Sequence, residues 1–326
     1  MKLSIVVPFK DPDPVHFSEM LAGISAADFS IFSFVELVLV NDGGTERCQQ
    51  EIADFSRISP TLPVRLIELP INRGVSHARN IGMAESQGDW IALHDADDIS
   101  MPDRFVKSAL FLQQNPELIA VAGDLQVFNE HDNVLFMRLF PPDHDDICVD
   151  NLFYCAMAQT ALMVNRALWS KSRVQYTDKM DMAQDWDFMI RLGHHGKLAN
   201  LAIPLVRYRQ HPKQRSSAIS GEAANSHVRG IWARQLGYLG ADIDPALLQV
   251  HGHLSPYWLW QISDIEQAWA LSPRDVDRWC QHLISKNRIS QYVDQAILGH
   301  KISRLKRHWQ AWINSGDPAT QIQSLF

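Results

Sequence analysis

The chain has 326 residues, 46% hydrophobic and 21% charged, with a formal net charge of −7. That length holds one large domain and a smaller one. The composition excludes a disordered or collagen-like chain, and the negative balance argues against a nucleic-acid partner.

In chain order, residues 3–8 form a short apolar run before Lys10 and Asp11, too brief for a signal peptide, and read as a first strand. Further strand-like runs follow at 34–40, 64–69 and 90–94, and helical spacing recurs between them, at 15–26 and 75–86. This βαβαβαβ order predicts an α/β fold with helices on both faces of the sheet, and ligands at the carboxyl ends of the strands. Polar or acidic clusters fall at those ends, at 8–14, 41–45, 72–76 and 95–98. Beyond residue 100, strand-like 119–126 and 134–139 and helical 186–192 predict an α+β continuation. The polar segment HPKQRSSAISGE, from His211, marks a boundary or mobile loop. The remainder reads as helical and carries seven of the ten tryptophans. No stretch reaches the ~18 apolar residues of a spanning helix. Cys48, Cys148, Cys155 and Cys280 lack a CxxC pair, which fits a reducing cytoplasm rather than a disulfide framework or zinc site.

Three carboxylates, Asp95, Asp97 and Asp98, follow the strand at 90–94. Such crowding is relieved by a cation, and Mg²⁺ or Mn²⁺ suits carboxylate oxygen beside a substrate's phosphates. The alternative is a solvated turn capping a helix that starts near Pro102. Asp42, beside Gly43 and Gly44, could accept a hydrogen bond from a base or ribose, or merely sit in a turn. Arg79 in SHARN could face a diphosphate, or serve a structural ion pair.

Six segments taken in order, SIVVPFKD (4–11), VLVNDGG (38–44), NRGVSHARN (72–80), HDADD with MPDR (94–98 and 101–104), QDWDFMIRL (184–192) and YRQHPKQRS (208–216), resemble the family 2 glycosyltransferases of GT-A fold. The resemblance covers residues 1–216. It implies a Rossmann-like mixed sheet flanked by helices, with a nucleotide-sugar-binding and catalytic domain at 1–216 and a helical C-terminal extension at 217–326. By that resemblance Pro8, Phe9 and Asp42 line the nucleotide pocket, Asp95 lies near the ribose, and Asp97 and His211 hold Mn²⁺ or Mg²⁺, with Arg79 read from its charge as the diphosphate's partner. Asp185 is then the general base that deprotonates an acceptor hydroxyl as it attacks the anomeric carbon, and helix capping is its alternative role.

The resemblance further implies a nucleotide-diphosphate sugar as donor and a glycan or lipid-linked acceptor, in surface polysaccharide synthesis. It places the protein in the cytoplasm or on the inner membrane face. Departures from the family pattern are NDGG for DDGS, Pro-Phe-Lys-Asp after the first strand, Gln184 before the base, and no glycine-rich turn ahead of it. A non-catalytic sugar-nucleotide-binding scaffold is the alternative function.

In the tail, Ile289, Val293, Ile297, Ile302, Leu305, Trp309 and Trp312 recur near helical spacing, and Lys301, Arg304, Lys306 and Arg307 form a basic cluster. This predicts one amphipathic basic helix that either contacts an anionic membrane surface or packs on protein. Peripheral membrane contact and oligomerisation are both left open.

Overall fold

The computed structural model describes residues 1–45, 48–180, 182–212, 214, 222–243, 245–255 and 272–315. They fall into two compact units. One comprises Met1–Pro142 with Met157–Gln214; the other comprises Asp143–Ala156 with the described part of Arg215–Phe326.

The first unit is a nine-stranded mixed sheet with the strands in the order β3-β2-β1-β4-β8-β6-β9-β5, and β7 paired to β6. The parallel part is β1 (Lys2–Phe9), β2 (Phe34–Asn41), β3 (Val64–Glu68) and β4 (Trp90–Leu93). Every residue of β1 from Leu3 to Phe9 is buried, as expected of a strand covered on both faces. The antiparallel part adds β5 (Ile99–Ser100), β6 (Leu118–Asn129), β7 (Val134–Arg138) and β8 (Met163–Asn165), and β9 (Lys197–Gln210) runs parallel to β6. The helix expected to start near Pro102 begins at Arg104, after a turn that contains Pro102.

Helices in this unit are α1 (Pro14–Ser25), α2 (Gln49–Ile58), α3 (Val75–Glu85) and α4 (Arg104–Gln114). In the second unit lies α5 (His144–Asp150); α6 (Arg166–Ser172) and α7 (Gln184–Gly193) return to the first. Helix α1 starts sharply because the Asp13 carboxylate accepts from Val15 N at 3.0 Å and Pro14 takes the first turn. It buries Phe17, Met20, Leu21 and Ile24, the i, i+3, i+4, i+7 stripe, in the core beside Leu3, Ile5 and Val7 of β1.

The second unit is helical, with α8 (Glu222–Leu239), α9 (Pro245–Leu254), α10 (Pro273–Ser290) and α11 (Gln295–Ser315). The single basic helix expected over 284–313 is in fact two, α10 and α11. Gln291 adopts the left-handed conformation, with φ of 50°, and ends the first. Leu298, Ile302, Leu305 and Trp309 are buried within the unit, while Ile289 is exposed. Lys301 is buried against Asp150 at 2.6 Å and Lys306 pairs with Asp277, so the basic cluster is not one solvated face. The tryptophans Trp258, Trp260 and Trp269, and most of the polar segment after His211, lie outside the described residues.

Candidate active site at the strand mouths

All the expected site residues belong to the first unit, where the parallel strands end. Phe9 of β1 pairs with Asn41 of β2, and Val6 with Leu93 of β4, so the loops after these strands open side by side. Pro8 and Phe9 are the buried last residues of β1, and Phe9 packs on Phe17 of α1 with ring centroids 5.1 Å apart.

Asp42 is buried, and its two oxygens accept from Arg73 N and Gly74 N, each at 2.8 Å. Those amides belong to the turn that opens α3, so the carboxylate does the work of an N-terminal cap from another loop. The two loops approach closely because Gly43, with φ of +66°, has no side chain; a Cβ there would come 2.3 Å from Asn72 N.

From α3, Arg79 reaches under the acidic cluster and donates Nη2 to Asp95 Oδ1 at 2.7 Å. Its Nε and Nη1 are buried without a hydrogen-bond partner. The guanidinium also lies over Tyr176, 5.5 Å from the ring centroid. Burial works against its charge, but Asp95 and the neighbouring groups outweigh that and raise its pKa. Burial raises the pKa of Asp95, with the Asp97 charge adding to the effect against Arg79.

The three aspartates of the cluster take different surroundings. Asp97 is partly exposed, and its Oδ2 lies 3.1 Å from His211 Nε2, just beyond the end of β9. Asp98 is fully buried and accepts Arg209 N at 2.9 Å. Burial, then the charges of Asp97 and Asp95, hold its carboxyl well above the usual range. None of the three caps α4, whose N-cap is Asp103, so the helix-capping alternative is set aside by their actual partners. Beneath them Arg104 is fully buried, donating to Ser100 Oγ and Leu93 O, and burial brings its pKa down to about 9. The neighbouring His94 is buried too, and burial, then Arg104, lower its pKa to about 3.

Asp185 sits in the first turn of α7, and its Oδ1 accepts from Trp186 N at 2.9 Å. It acts electrostatically on Arg79, Asp95 and Tyr176, so it belongs to the same cluster. The segment leading to it is tied to α3 by Asn80, which donates to Tyr176 O at 2.9 Å and accepts from Tyr176 N at 2.8 Å. Tyr176 stacks on Phe188 with centroids 4.0 Å apart. Just past residues 174–178, which stand in place of the family's glycine-rich turn, Lys179 and Ala183 adopt positive φ, 61° and 58°, in conformations glycine takes without strain.

Three residues near the site carry no signal of their own in the sequence. His16 on α1 packs its ring 5.1 Å from that of His211, and burial, then Arg209, lower its pKa. Arg209 donates Nε to Asp97 O at 2.9 Å. Tyr176 underlies Arg79. Arg209 lay inside a quoted motif, but its partners Asp97, Asp98 and Glu19 are more than a hundred residues away.

Asp97 and His211 offer a carboxylate oxygen and an imidazole nitrogen side by side. Among the described residues no group of three His, Cys, Asp or Glu side chains could hold an ion unaided. The pair thus offers two donors of kinds that a divalent ion such as Mn²⁺ accepts.

This sheet, with its acidic loop after β4 and helical extension, is that of a GT-A glycosyltransferase. Residues 4–161, just under half of the chain, match the family model described as glycosyl transferase family 2, which makes that segment a glycosyltransferase domain of the family. An uncharacterized glycosyltransferase of Haemophilus influenzae is 25% identical over 232 residues, 68% of this chain and 71% of that protein. The amylovoran biosynthesis glycosyltransferase AmsE of Erwinia amylovora is 31% identical over 112 residues, 34% of this chain and 41% of AmsE. Among solved structures, S. aureus TarS in complex with UDP-GlcNAc superposes with a TM-score of 0.61 at 17% identity, covering 97% of this chain and 93% of that one. The mannosyltransferase PcManGT of Pyrobaculum calidifontis, in complex with GDP-Man and Mn²⁺, gives 0.58 at 14% identity, covering 98% and 84%.

Proposed function

We propose that this glycosyltransferase is metal-dependent and inverting, and moves a sugar from a nucleotide diphosphate to a hydroxyl of a glycan or lipid-linked acceptor in surface polysaccharide synthesis. The observation that carries the reading is the Asp97–His211 pair beside the Asp95–Arg79 pair, past the strand ends, with Asp185 in the first turn of α7 close enough to act on the charge of Asp95. The nucleotide sugars and Mn²⁺ in the solved neighbours, and the biosynthetic name of AmsE, support it.

In this reading Pro8 and Phe9 wall the base pocket. Asp42 shapes that pocket by holding residues 73 and 74, with lone pairs left for a base N–H. Asp95, fixed by Arg79, meets the ribose. Arg79 has two unpartnered nitrogens to offer the diphosphate. Asp97 and His211 hold the divalent ion, which when bound neutralises charge on the departing diphosphate.

Asp185 takes the proton of the acceptor hydroxyl as its oxygen bonds to the anomeric carbon. The bond to the diphosphate breaks on the opposite face, and the electron pair leaves with the nucleotide. One carboxylate at the acceptor suffices for such a displacement. Residues 217–326 are assigned to acceptor, membrane-surface or oligomer contacts; among the described residues no helix is long and apolar enough to cross a membrane.

The test is calorimetry of UDP- and GDP-sugars with and without Mn²⁺, on wild type and Asp97→Ala. Metal-dependent binding of one sugar nucleotide, lost in the variant, is expected. Equal binding with and without metal would refute the metal dependence.

A further inference from the structure

Asp97 and His211 are 114 residues apart in sequence, one on a loop and one past a strand end. Metal donors need to be held to fractions of an ångström, which requires supporting contacts. One stripe of α1 supplies them. His16, Glu19 and Gly23 recur at i, i+3 and i+7, on one face of the helix.

His16 rests on His211, with ring centroids 5.1 Å apart and planes tilted by 59°. Glu19 pairs with Arg209. Gly23 lets the helix settle on the acidic segment, since a Cβ there would come 2.8 Å from Ile99 Cγ2. Arg209 closes the arrangement. It is buried, lies 4.6 Å over the Phe128 ring, donates Nε to Asp97 O at 2.9 Å and gives its backbone N–H to Asp98 Oδ1. Residues 97–99 and 209–211 thus meet the same helix face and, through Arg209, each other.

We infer that His16 and Arg209 are positioning residues that hold His211 and Asp97 at the separation a divalent ion and a donor diphosphate require. His16 acts by packing its ring on the imidazole; Arg209 acts through the Asp97 carbonyl, steadied by Glu19. The inference rests on the reading of Asp97 and His211 as metal ligands. Asp98 then serves as the buried anchor of the loop rather than as a ligand.

The experiment is a Mn²⁺ titration followed by the free-ion EPR signal, with UDP and with GDP as probes, on the full chain. His16→Ala and Arg209→Lys are expected to raise the half-saturating Mn²⁺ concentration by about tenfold, the usual effect of losing a ligand's support. His16→Phe keeps a ring on His211 and recovers most of that loss. Glu19→Gln, at a half-exposed position that leaves the fold intact, raises the concentration by about threefold, a smaller loss of the same support. Nucleotide affinity without metal stays unchanged in all four.

Unchanged Mn²⁺ uptake in His16→Ala and Glu19→Gln would overturn the inference, as would a His16→Phe variant no better than His16→Ala. The metal reading has a separate control. If wild type takes up no Mn²⁺ with either nucleotide, or His211→Ala matches wild type, the metal site itself is refuted. If His211→Ala loses Mn²⁺ while the His16 and Glu19 variants keep it, only the positioning role falls.

Discussion

In the first unit several deeply buried titratable groups gather where the parallel strands end and are left short of partners, whereas in the second unit two of the most deeply buried, His251 and Lys301, are closed on partners. Arg79 keeps Nε and Nη1 unpaired, Arg104 its Nε, and His94 its Nε2. In the second unit His251, packed among Phe153, Trp232 and Trp279, uses both nitrogens: one meets Leu152 O at 2.8 Å and the other Trp279 Nε1 at 3.3 Å. Lys301 is held by Asp150 and by the Tyr154 hydroxyl, which itself donates to Asp150. A buried polar group without a partner costs about 1–3 kcal/mol. An incomplete cluster at a strand mouth is therefore a place where a ligand can repay that cost, and a complete one is a fastener.

The sharpest contrast comes from removing one carboxylate or ammonium from each region. Asp185→Asn is expected to lower kcat for sugar transfer by about 10²–10⁴, the worth of a positioned base, with Mn²⁺-dependent donor affinity within about threefold. Lys301→Met leaves the buried Asp150 carboxylate without its cation, and should cost about 3–5 kcal/mol of stability in urea unfolding, with kcat per folded molecule unchanged. A Lys301→Met protein with intact stability and depressed kcat would break the comparison.

A pH titration sharpens it further. Burial lowers the His251 pKa from 6.5 to about 4, so on acidification the unfolded chain takes up this proton first. The stability that His251 confers is complete above about pH 6.5 and is lost as pH falls toward 4, by up to about 3 kcal/mol at 1.36 kcal/mol per unit. His94 shifts in the same direction, to about 3. In His251→Gln, whose amide can still donate to Leu152 O, the urea midpoint between pH 7 and 4.5 should fall less steeply than in wild type, by about one proton's worth of slope. Identical slopes would show that the buried imidazole does not set the acid limit.

Much of the first unit was legible in the sequence because its signals are local. Apolar runs followed by NDGG or HDADD mark strand ends whatever lies elsewhere in the chain, and the six ordered motifs identified the family. The pairing of Asp97 with His211 came from that resemblance, since nothing local links them. In the sequence His16 and Glu19 are simply polar residues within a run of helical spacing; only the folded chain shows that their stripe lies on the segments that carry Asp97 and His211. Residues 143–156 gave no sign that they pack with the C-terminal helices, being a short acidic stretch between strands. The helix break at Gln291 was equally hidden. It uses neither glycine nor proline, and depends on Asn287 bonding to Val293 N and O at 3.1 and 2.8 Å, a contact that periodicity does not register.

Lys301 and Lys306 make the smallest and most discriminating test, because in the sequence they belong to one basic cluster. Lys301 is buried in its pair, whereas Lys306 and Asp277 are each about half exposed. Water and salt screen the exposed pair, and holding two long side chains together costs entropy, so such pairs contribute little. Lys306→Gln should therefore change stability by less than about 0.5 kcal/mol in urea unfolding, a difference that 0.5 M salt would largely erase. A loss as large as that of Lys301→Met, persisting in salt, would mean that the second unit is fastened by charge along the whole of α11. The small value would mean that the fastening lies where the charge is buried, at Lys301 between Asp150 and the Tyr154 hydroxyl.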